Sequence, residues 1–199
     1  MNDHDDLFTT PAEPDALARL HRRLEQAAEQ EGLLDVAYRT VDSPVGPLLL
    51  AATPRGIVRL AYDIEDHDRV LENLAGRLSP RVLRAPGRLD AAARELEEYF
   101  AGRRRVFDLP LDLSLSRGFR LLVQQRLPSI GYGQTRSYRQ VAELVGHPKA
   151  VRAVGTACAT NPLPVIVPCH RVLLSDGTPG RYVGGPAAKK TLLNLEAAA

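Results

Sequence analysis

The chain changes character near residue 114, and this change constrains its fold more than any other feature of the sequence. Before it lie three strand-like segments separated by turns that contain Pro and Gly: 36–42, 46–53 and 57–64. Two further kinds of pattern follow, helical near 67–78 and 90–101 and β-like near 81–85 and 106–113. Strands followed by helices predict an α+β domain over residues 36–114 with a largely antiparallel sheet.

Residues 115–199 are predicted to form short helices with few strands. Helical spacing runs over about 117–127, 137–145 and 149–160. The last two segments are joined by Gly146-His147-Pro148, a tight turn, and such a pair is typical of a helix-turn-helix. We therefore expect a second, mainly helical domain over residues 115–199.

Residues 1–35 form an N-terminal extension ahead of these domains. Its first ten residues are polar and are predicted to be disordered. Pro14-Asp15 is a helix start signal, and Leu17, Leu20 and Leu24 then follow with helical spacing. The sequence leaves open whether this acidic helix caps the domain or shields a surface.

The second helix of the predicted helix-turn-helix is rich in small residues, namely Ala150, Ala153, Gly155, Ala157 and Ala159. Such a helix approaches another surface closely. One interpretation is tight packing on a neighbouring helix. The alternative is close contact with a groove of DNA.

Charge is distributed unevenly along the chain, although the net charge is only +2. Residues 1–35 carry −6, residues 36–113 balance at zero, and residues 114–199 carry +8. A basic C-terminal half is the electrostatic pattern expected for a nucleic-acid partner. The alternative is a basic face that only contacts solvent.

Several other classes of protein are excluded by what the sequence lacks. The N-terminus has no secretory signal, and no stretch approaches the roughly 20 apolar residues that cross a bilayer, so a cytoplasmic protein without a membrane partner is expected. Two cysteines, Cys158 and Cys169, are too few for a disulfide framework. No Cys and His spacing indicates zinc, and we expect neither a metal nor a cofactor.

Cys169 is directly followed by His170 in the segment Val-Pro-Cys-His-Arg, residues 167–171. The thiolate is the nucleophilic form of cysteine, and a neighbouring base raises its population at neutral pH. A Cys-His dipeptide alone leaves two interpretations open, a buried structural thiol or the centre of the chemistry.

The C-terminal half resembles the O6-alkylguanine-DNA alkyltransferases, also called methylated-DNA–protein-cysteine methyltransferases. The resemblance covers about residues 117–197 and rests on five motifs in order: Gly133-Gln-Thr-Arg-Ser-Tyr138, Ala153-Val-Gly155, Asn161-Pro162, Pro168-Cys-His-Arg-Val172 and Gly180-Arg-Tyr-Val-Gly-Gly185. It implies a ribonuclease-H-like N-terminal domain and a helix-turn-helix DNA-binding domain. It also implies repair of O6-alkylguanine in double-stranded DNA by a monomer, through irreversible transfer of the alkyl group to the protein after base flipping.

The resemblance assigns five residues to the transfer. Cys169 accepts the alkyl group, His170 removes its proton through a water, and Glu196 orients His170. Tyr138 donates a hydrogen bond to guanine N3 and so stabilises the leaving base. Asn161 ties the recognition helix to the active-site loop.

The remaining implied contacts involve the base and the duplex. Tyr182 and Val183 cover the base, while Val172 and Pro164 complete the substrate pocket. Arg152 fills the gap that the flipped nucleotide leaves. The other residues expected at the DNA are Ala153, Gly155, Thr135, Ser137 and Tyr138.

Two other classes of function compete with this one. A protein can bind alkylated DNA without transferring the group, but the acceptor cysteine argues against that. A Cys-His thiol enzyme acting on small molecules would need neither the basic half nor the helix-turn-helix.

Overall fold

The computed structural model describes residues 14–198, which fall into two compact units, one up to Leu34 and one from Asp35 onward. The first unit contains helix α1, Pro14–Gln30, which begins at the predicted start signal. Its leucines, Leu17, Leu20 and Leu24, are each more than half exposed. The predicted disorder of the first ten residues lies outside the described part of the chain.

The second unit begins with a four-stranded sheet. Its strands are β1 (Val36–Val41), β2 (Leu48–Thr53), β3 (Gly56–Tyr62) and β4 (Val82–Arg84), in the order β3-β2-β1-β4. The first three pair antiparallel, as predicted, whereas β4 pairs parallel with β1, so the sheet is mixed. Strand β2, Leu-Leu-Leu-Ala-Ala-Thr, is buried along almost its whole length because it is central and covered on both faces.

Two helices pack in this part of the chain, α2 (His67–Arg77) and α3 (Asp90–Phe100). Helix α2 places Val70 and Leu74 in the core beside the sheet. Helix α3 buries Leu96 and Tyr99, which lie three residues, or about eight tenths of a helical turn, apart and therefore in the same stripe. Both helices lie within one or two residues of their predicted bounds.

The predicted β-like run at 106–113 is wrong. It makes a single bridge, between Ile57 and Leu111, and no strand. Pro110 has no N–H with which to continue a ladder, and its carbonyl instead accepts a hydrogen bond from Ile57 N at 2.8 Å.

Residues 115–198 form four α-helices: α4 (Gly118–Arg126), α5 (Tyr138–Leu144), α6 (Val151–Ala159) and α7 (Gly185–Ala197). The first three confirm the predicted helices, and α5 and α6 are the predicted helix-turn-helix pair. Two short parallel strands, β5 (Arg136–Ser137) and β6 (Val172–Leu173), had no periodicity to predict them. In the described residues no helix is long and apolar enough to span a membrane.

The sheet touches the helical part of the chain directly. The carbonyl of Pro162, just after α6, accepts hydrogen bonds from Leu60 N at 2.9 Å and from Arg59 Nη1 at 3.0 Å. The loop that follows α6 is therefore held against strand β3. The predicted domain boundaries at 35/36 and 114/115 stay predictions.

Candidate active site

The loop after α6 places Cys169 at the first position of a 3₁₀ turn, Cys169–Arg171. Every residue from 161 to 172 is buried. Cys169 is 1% exposed and His170 is fully buried. Val165 in this loop has φ 72°, a strained conformation for a β-branched residue that the surrounding packing must hold in place.

Asn161 closes this loop with three hydrogen bonds. Its Oδ1 accepts from Leu163 N at 3.0 Å, and its Nδ2 donates to Val167 O at 2.8 Å. The same Nδ2 lies 3.1 Å from Cys169 Sγ. One amide side chain thus fixes both the loop backbone and the position of the sulfur.

Glu196, on helix α7, is the centre of a buried hydrogen-bond cluster. Its carboxylate accepts from His170 Nε2 at 2.9 Å, Tyr99 Oη at 2.7 Å and Gly133 N at 3.1 Å. Arg171 binds both carboxylate oxygens, each at 2.9 Å. Burial alone would raise the pKa of Glu196, but the hydrogen bonds from His170, Arg171 and Tyr99 outweigh it and lower the pKa to about 2.

The ionised Glu196 decides which nitrogen of His170 carries the proton. A carboxylate only accepts, so His170 Nε2 must be the N–H and Nδ1 the free lone pair. Nδ1 is buried and has no hydrogen-bond partner among the described residues. Burial lowers the pKa of His170 more than Glu196 raises it, so the ring is neutral at neutral pH and Nδ1 is a vacant base.

The thiol of Cys169 needs such a base. Burial raises the pKa of Cys169 to about 11, although the Asn161 hydrogen bond and the charge of Lys189 both act to lower it. Lys189 is itself fully buried, and its Nζ donates to Val172 O at 2.6 Å. The charge of Lys189 acts on Cys169 and favours the thiolate once the proton has left.

Two tyrosines, Tyr138 and Tyr182, lie near the buried residues around Cys169, the first near Lys189 and the second near His170. Tyr138 begins α5, and Gly180 packs so closely on its hydroxyl that an added Cβ would lie 2.7 Å away. Tyr182 presents its ring edge-on to His170, with centroids 6.4 Å apart. Burial raises the pKa of Tyr138 to about 12, so its hydroxyl keeps its proton at neutral pH.

A cavity of about 390 Å³ opens beside Tyr182. Its walls are Ala159 at the end of α6, Pro186 at the start of α7, and the segment from Gly180 to Val183. Val183 is half-buried and lines the cavity, as a residue covering a base would. Pro164 and Val172, the other predicted pocket residues, are buried and do not line this cavity.

Of the small residues of helix α6 and its start, Ala153 and Ala159 are exposed, Ala150 and Gly155 are partly exposed, and Ala157 is buried. Arg152 and Ala153 are exposed, whereas Val154, Ala157 and Cys158 are buried. A Cβ added to Gly155 would meet nothing within 4 Å. The small-residue face is therefore open, and tight packing on a neighbouring helix explains only the opposite face.

The predicted DNA contacts ahead of α5 divide into two kinds. Thr135 is exposed. Ser137 is half-buried and caps α5, where its Oγ accepts from Gln140 N at 3.2 Å while Gln140 Oε1 accepts from Ser137 N at 2.8 Å. Ser137 thus has a structural role at the helix start, whatever else it contacts.

Four residues at the site had no role in the sequence analysis: Arg171, Lys189, Tyr99, and Tyr62, whose hydroxyl lies 2.9 Å from that of Tyr182. Arg171 lies next to the Cys-His pair and Lys189 lies in the same helix as Glu196, but nothing local distinguishes them from solvent-facing cations. Tyr99 and Tyr62 come from the N-terminal domain, far away in the chain. The available signal was that each tyrosine places a polar hydroxyl among the buried apolar residues of its strand or helix, because a buried hydroxyl needs a hydrogen-bond partner.

The chain matches two protein families along its length. Residues 36–113 match the ribonuclease-like domain of 6-O-methylguanine DNA methyltransferase, and residues 118–198 match its DNA binding domain. Among curated relatives, the methylated-DNA–protein-cysteine methyltransferase of Mycobacterium tuberculosis is 40% identical over 161 residues, which is 81% of this chain and 92% of the relative. The constitutive enzyme of Bacillus subtilis is 39% identical and covers 80% and 94%.

Solved structures agree in fold. The M. tuberculosis O6-methylguanine methyltransferase has a TM-score of 0.71 and 39% identity, covering 82% of this chain and 93% of that one. The structure of the M. tuberculosis protein OGT in complex with DNA has a TM-score of 0.68 and 39% identity, covering 81% and 93%. These similarities confirm both the α+β fold and the resemblance, and the chain belongs to the methylated-DNA–protein-cysteine methyltransferase family.

Proposed function

We propose that this protein repairs O6-alkylguanine in double-stranded DNA by moving the alkyl group to Cys169, once per molecule. The observation that carries the proposal is the buried hydrogen-bonded pair of Glu196 and His170 next to the buried thiol of Cys169. This arrangement contains an ionised carboxylate, a neutral imidazole with a vacant nitrogen, and a thiol held by Asn161. The family's named activity needs a nucleophile activated in this way.

The transfer follows from these groups. His170 Nδ1 takes the Cys169 proton, and because that nitrogen has no direct partner, one water bridges the gap. The thiolate attacks the alkyl carbon, an S–C bond forms, and the C–O6 bond breaks with its electron pair going to the base. Glu196 stabilises the imidazolium, and Lys189 offsets the negative charge near the sulfur until the thioether has formed.

The leaving base needs a proton donor. Negative charge moves onto guanine as the C–O6 bond breaks, and the protonated hydroxyl of Tyr138 donates to N3 and stabilises it. The exocyclic amine of guanine donates to the carbonyls of Cys169 and Val172. These carbonyls already accept hydrogen bonds from Val172 N and Lys189 Nζ, respectively. Each carbonyl has a second lone pair, so the amine shares these acceptors.

Helix α6 is the element that contacts a groove of the duplex. The exposed small residues let the helix lie close in a groove, and the +8 charge of residues 114–199 supplies attraction to phosphate. A related structure binds DNA with the same fold. A monomer in the cytoplasm is the accompanying proposal.

Intact mass spectrometry tests this function. The protein is incubated with a duplex that contains O6-methylguanine and, separately, with the same duplex carrying guanine. A gain of one methyl group on the Cys169 peptide, only with the lesion, is expected. Unmodified protein that still binds the lesion duplex would instead support a non-catalytic binding protein, and no binding at all would contradict both.

Arg152→Ala is expected to slow repair in duplex DNA by about tenfold or more, because an exposed cation on α6 no longer fills the gap of the flipped nucleotide. Its rate with free O6-benzylguanine should not change. Arg126→Ala, which removes an equally exposed charge from α4, is the control for net charge. Equal slowing of both substrates would contradict the role of Arg152.

The transfer rate should fall in acid. His170 acts as a base only when neutral, and its pKa lies below the ordinary value of 6.5. With free O6-benzylguanine we expect a constant rate from about pH 6.5 to 8, then a loss of about tenfold per pH unit below the pKa of His170. A fall that begins above neutrality would show that His170 is not buried and neutral as described.

A further inference from the structure

Tyr62, at the end of strand β3, lies against residues 180–184. We call these residues the covering segment, and most of them line the cavity. Its hydroxyl is 2.9 Å from the hydroxyl of Tyr182, and the two rings meet edge to face with centroids 5.7 Å apart. These residues are 120 positions apart in the chain. The sheet domain therefore contacts the covering segment of the helical domain through the side chain of Tyr62.

Gly184 packs on the ring of Tyr62. A Cβ built on Gly184 would lie 2.6–2.7 Å from three atoms of that ring, closer than real Cβ contacts allow. Only a glycine lets the backbone come this near. The Tyr62 ring thus limits how closely the backbone of residues 182–184 can approach strand β3. The hydrogen bond between the hydroxyls of Tyr62 and Tyr182 also fixes the direction of this contact.

Tyr62 itself has little freedom to move. It is 1% exposed, and its backbone N donates to Glu65 Oε1 at 2.9 Å. Glu65 pairs with Arg59, which also donates to Pro162 O at the start of the active-site loop. The same stretch of the sheet domain therefore holds both the loop that carries Cys169 and the segment that covers it.

We propose that Tyr62 is a positioning residue that clamps the covering segment 180–184 over the substrate pocket and thereby limits the size of the alkyl group accepted. This inference rests on the proposed function, in which Tyr182 and Val183 cover the base. Cys169 is 1% exposed, so the covering segment must yield when a base reaches the sulfur. A larger alkyl group needs a larger displacement, so a tighter clamp discriminates against it.

The first test removes only the hydroxyl. Tyr62→Phe is expected to slow transfer from O6-methylguanine in duplex DNA about three- to tenfold, the equivalent of one hydrogen bond. Transfer from O6-benzylguanine in the same duplex should slow less, so the benzyl-to-methyl rate ratio rises about threefold. Tyr38→Phe, a half-buried tyrosine on β1 that packs against the core of the sheet, is the matched control.

A second test uses the close contact at Gly184. Gly184→Ala should lift the segment and slow methyl transfer at least as much as Tyr62→Phe. Tyr62→Leu removes the ring atoms that the new methyl group would strike, so the double variant Gly184→Ala with Tyr62→Leu should react faster than Gly184→Ala alone. If the substitutions acted only by destabilising the fold, the double variant would instead react more slowly than Gly184→Ala alone.

The outcomes separate this inference from the proposed function. If the unaltered protein gains no methyl group, the proposed function fails. If it reacts fully but Tyr62→Phe matches Tyr38→Phe in both rates, Tyr62 is no clamp. A lower final yield of alkylated protein with an unchanged rate ratio would show a purely structural role and would also overturn the inference.

Discussion

Cys169→Ser is expected to abolish alkyl transfer while binding to the lesion duplex persists. Serine keeps the volume of the site nearly unchanged, and its hydroxyl can accept the Asn161 hydrogen bond that the sulfur now accepts. A hydroxyl has a far higher pKa than a thiol, and neutral His170 cannot produce a useful amount of alkoxide. The variant should show no methyl gain by intact mass and an affinity for the lesion duplex within about threefold of the unaltered protein.

The second thiol supplies the control. Cys158 is buried in α6, and burial raises its pKa well above the ordinary value, so it is an unreactive thiol. Cys158→Ala should still gain one methyl group. Transfer that persists in Cys169→Ser and disappears in Cys158→Ala would reverse the assignment of the acceptor.

Glu196→Gln is expected to damage both activity and stability. All the groups that contact this carboxylate are donors, from His170, Arg171, Tyr99 and the Gly133 backbone. Glutamine offers one acceptor oxygen and places an NH₂ group against the remaining donors. It also leaves the Arg171 guanidinium buried without its counterion, which costs about 3–5 kcal/mol of the free energy of unfolding.

The loss of activity has a separate cause. Without an ionised carboxylate at Nε2, His170 is no longer held in the tautomer that leaves Nδ1 free, so we expect the transfer rate to fall by about 100-fold or more. Rates per active molecule, normalised to the final yield, separate this effect from unfolding. Glu98→Gln, which disturbs only a partly exposed pair with Arg104, should change stability by less than about 1 kcal/mol. Equal effects of the two substitutions would contradict the role of Glu196.

The same carboxylate makes stability depend on pH. The pKa of Glu196 is about 2 in the folded protein, against an ordinary value of 4.5. Its contribution, on the order of 3 kcal/mol, is therefore complete above about pH 4.5 and is lost as the pH falls toward 2. Denaturant unfolding measured at steps through this window should show the loss in the unaltered protein and not in Glu196→Gln.

Local elements were predictable because their signals are local. The turns at 43–46 and 54–56 and the apolar spacing of α2, α3 and α4 predicted elements within one or two residues of those observed. The error at 106–113 arose because Pro110 interrupts a run that otherwise alternates like a strand. Motif order along the C-terminal half predicted Cys169, His170 and Asn161, which the structure brings into one buried loop.

The parts that were not predicted depend on pairs far apart in the chain. His170 meets Glu196 across 26 positions, and Glu196 meets Tyr99 across 97. No periodicity reports which of the many cations and tyrosines will be buried against which carboxylate. Arg171 and Lys189 look like ordinary surface charges until the fold removes water from them.

The sequence by itself determined most of the order of helices and strands, the family, and the position of the Cys-His pair, because each of these is written in neighbouring residues. Only the tertiary structure decided the protonation of the site. Burial raises the pKa of Cys169 and lowers that of His170, while the donors gathered round Glu196 keep its pKa low. It also decided that Tyr62, from the sheet domain, contacts Gly184 and Tyr182, the latter a residue that lines the cavity.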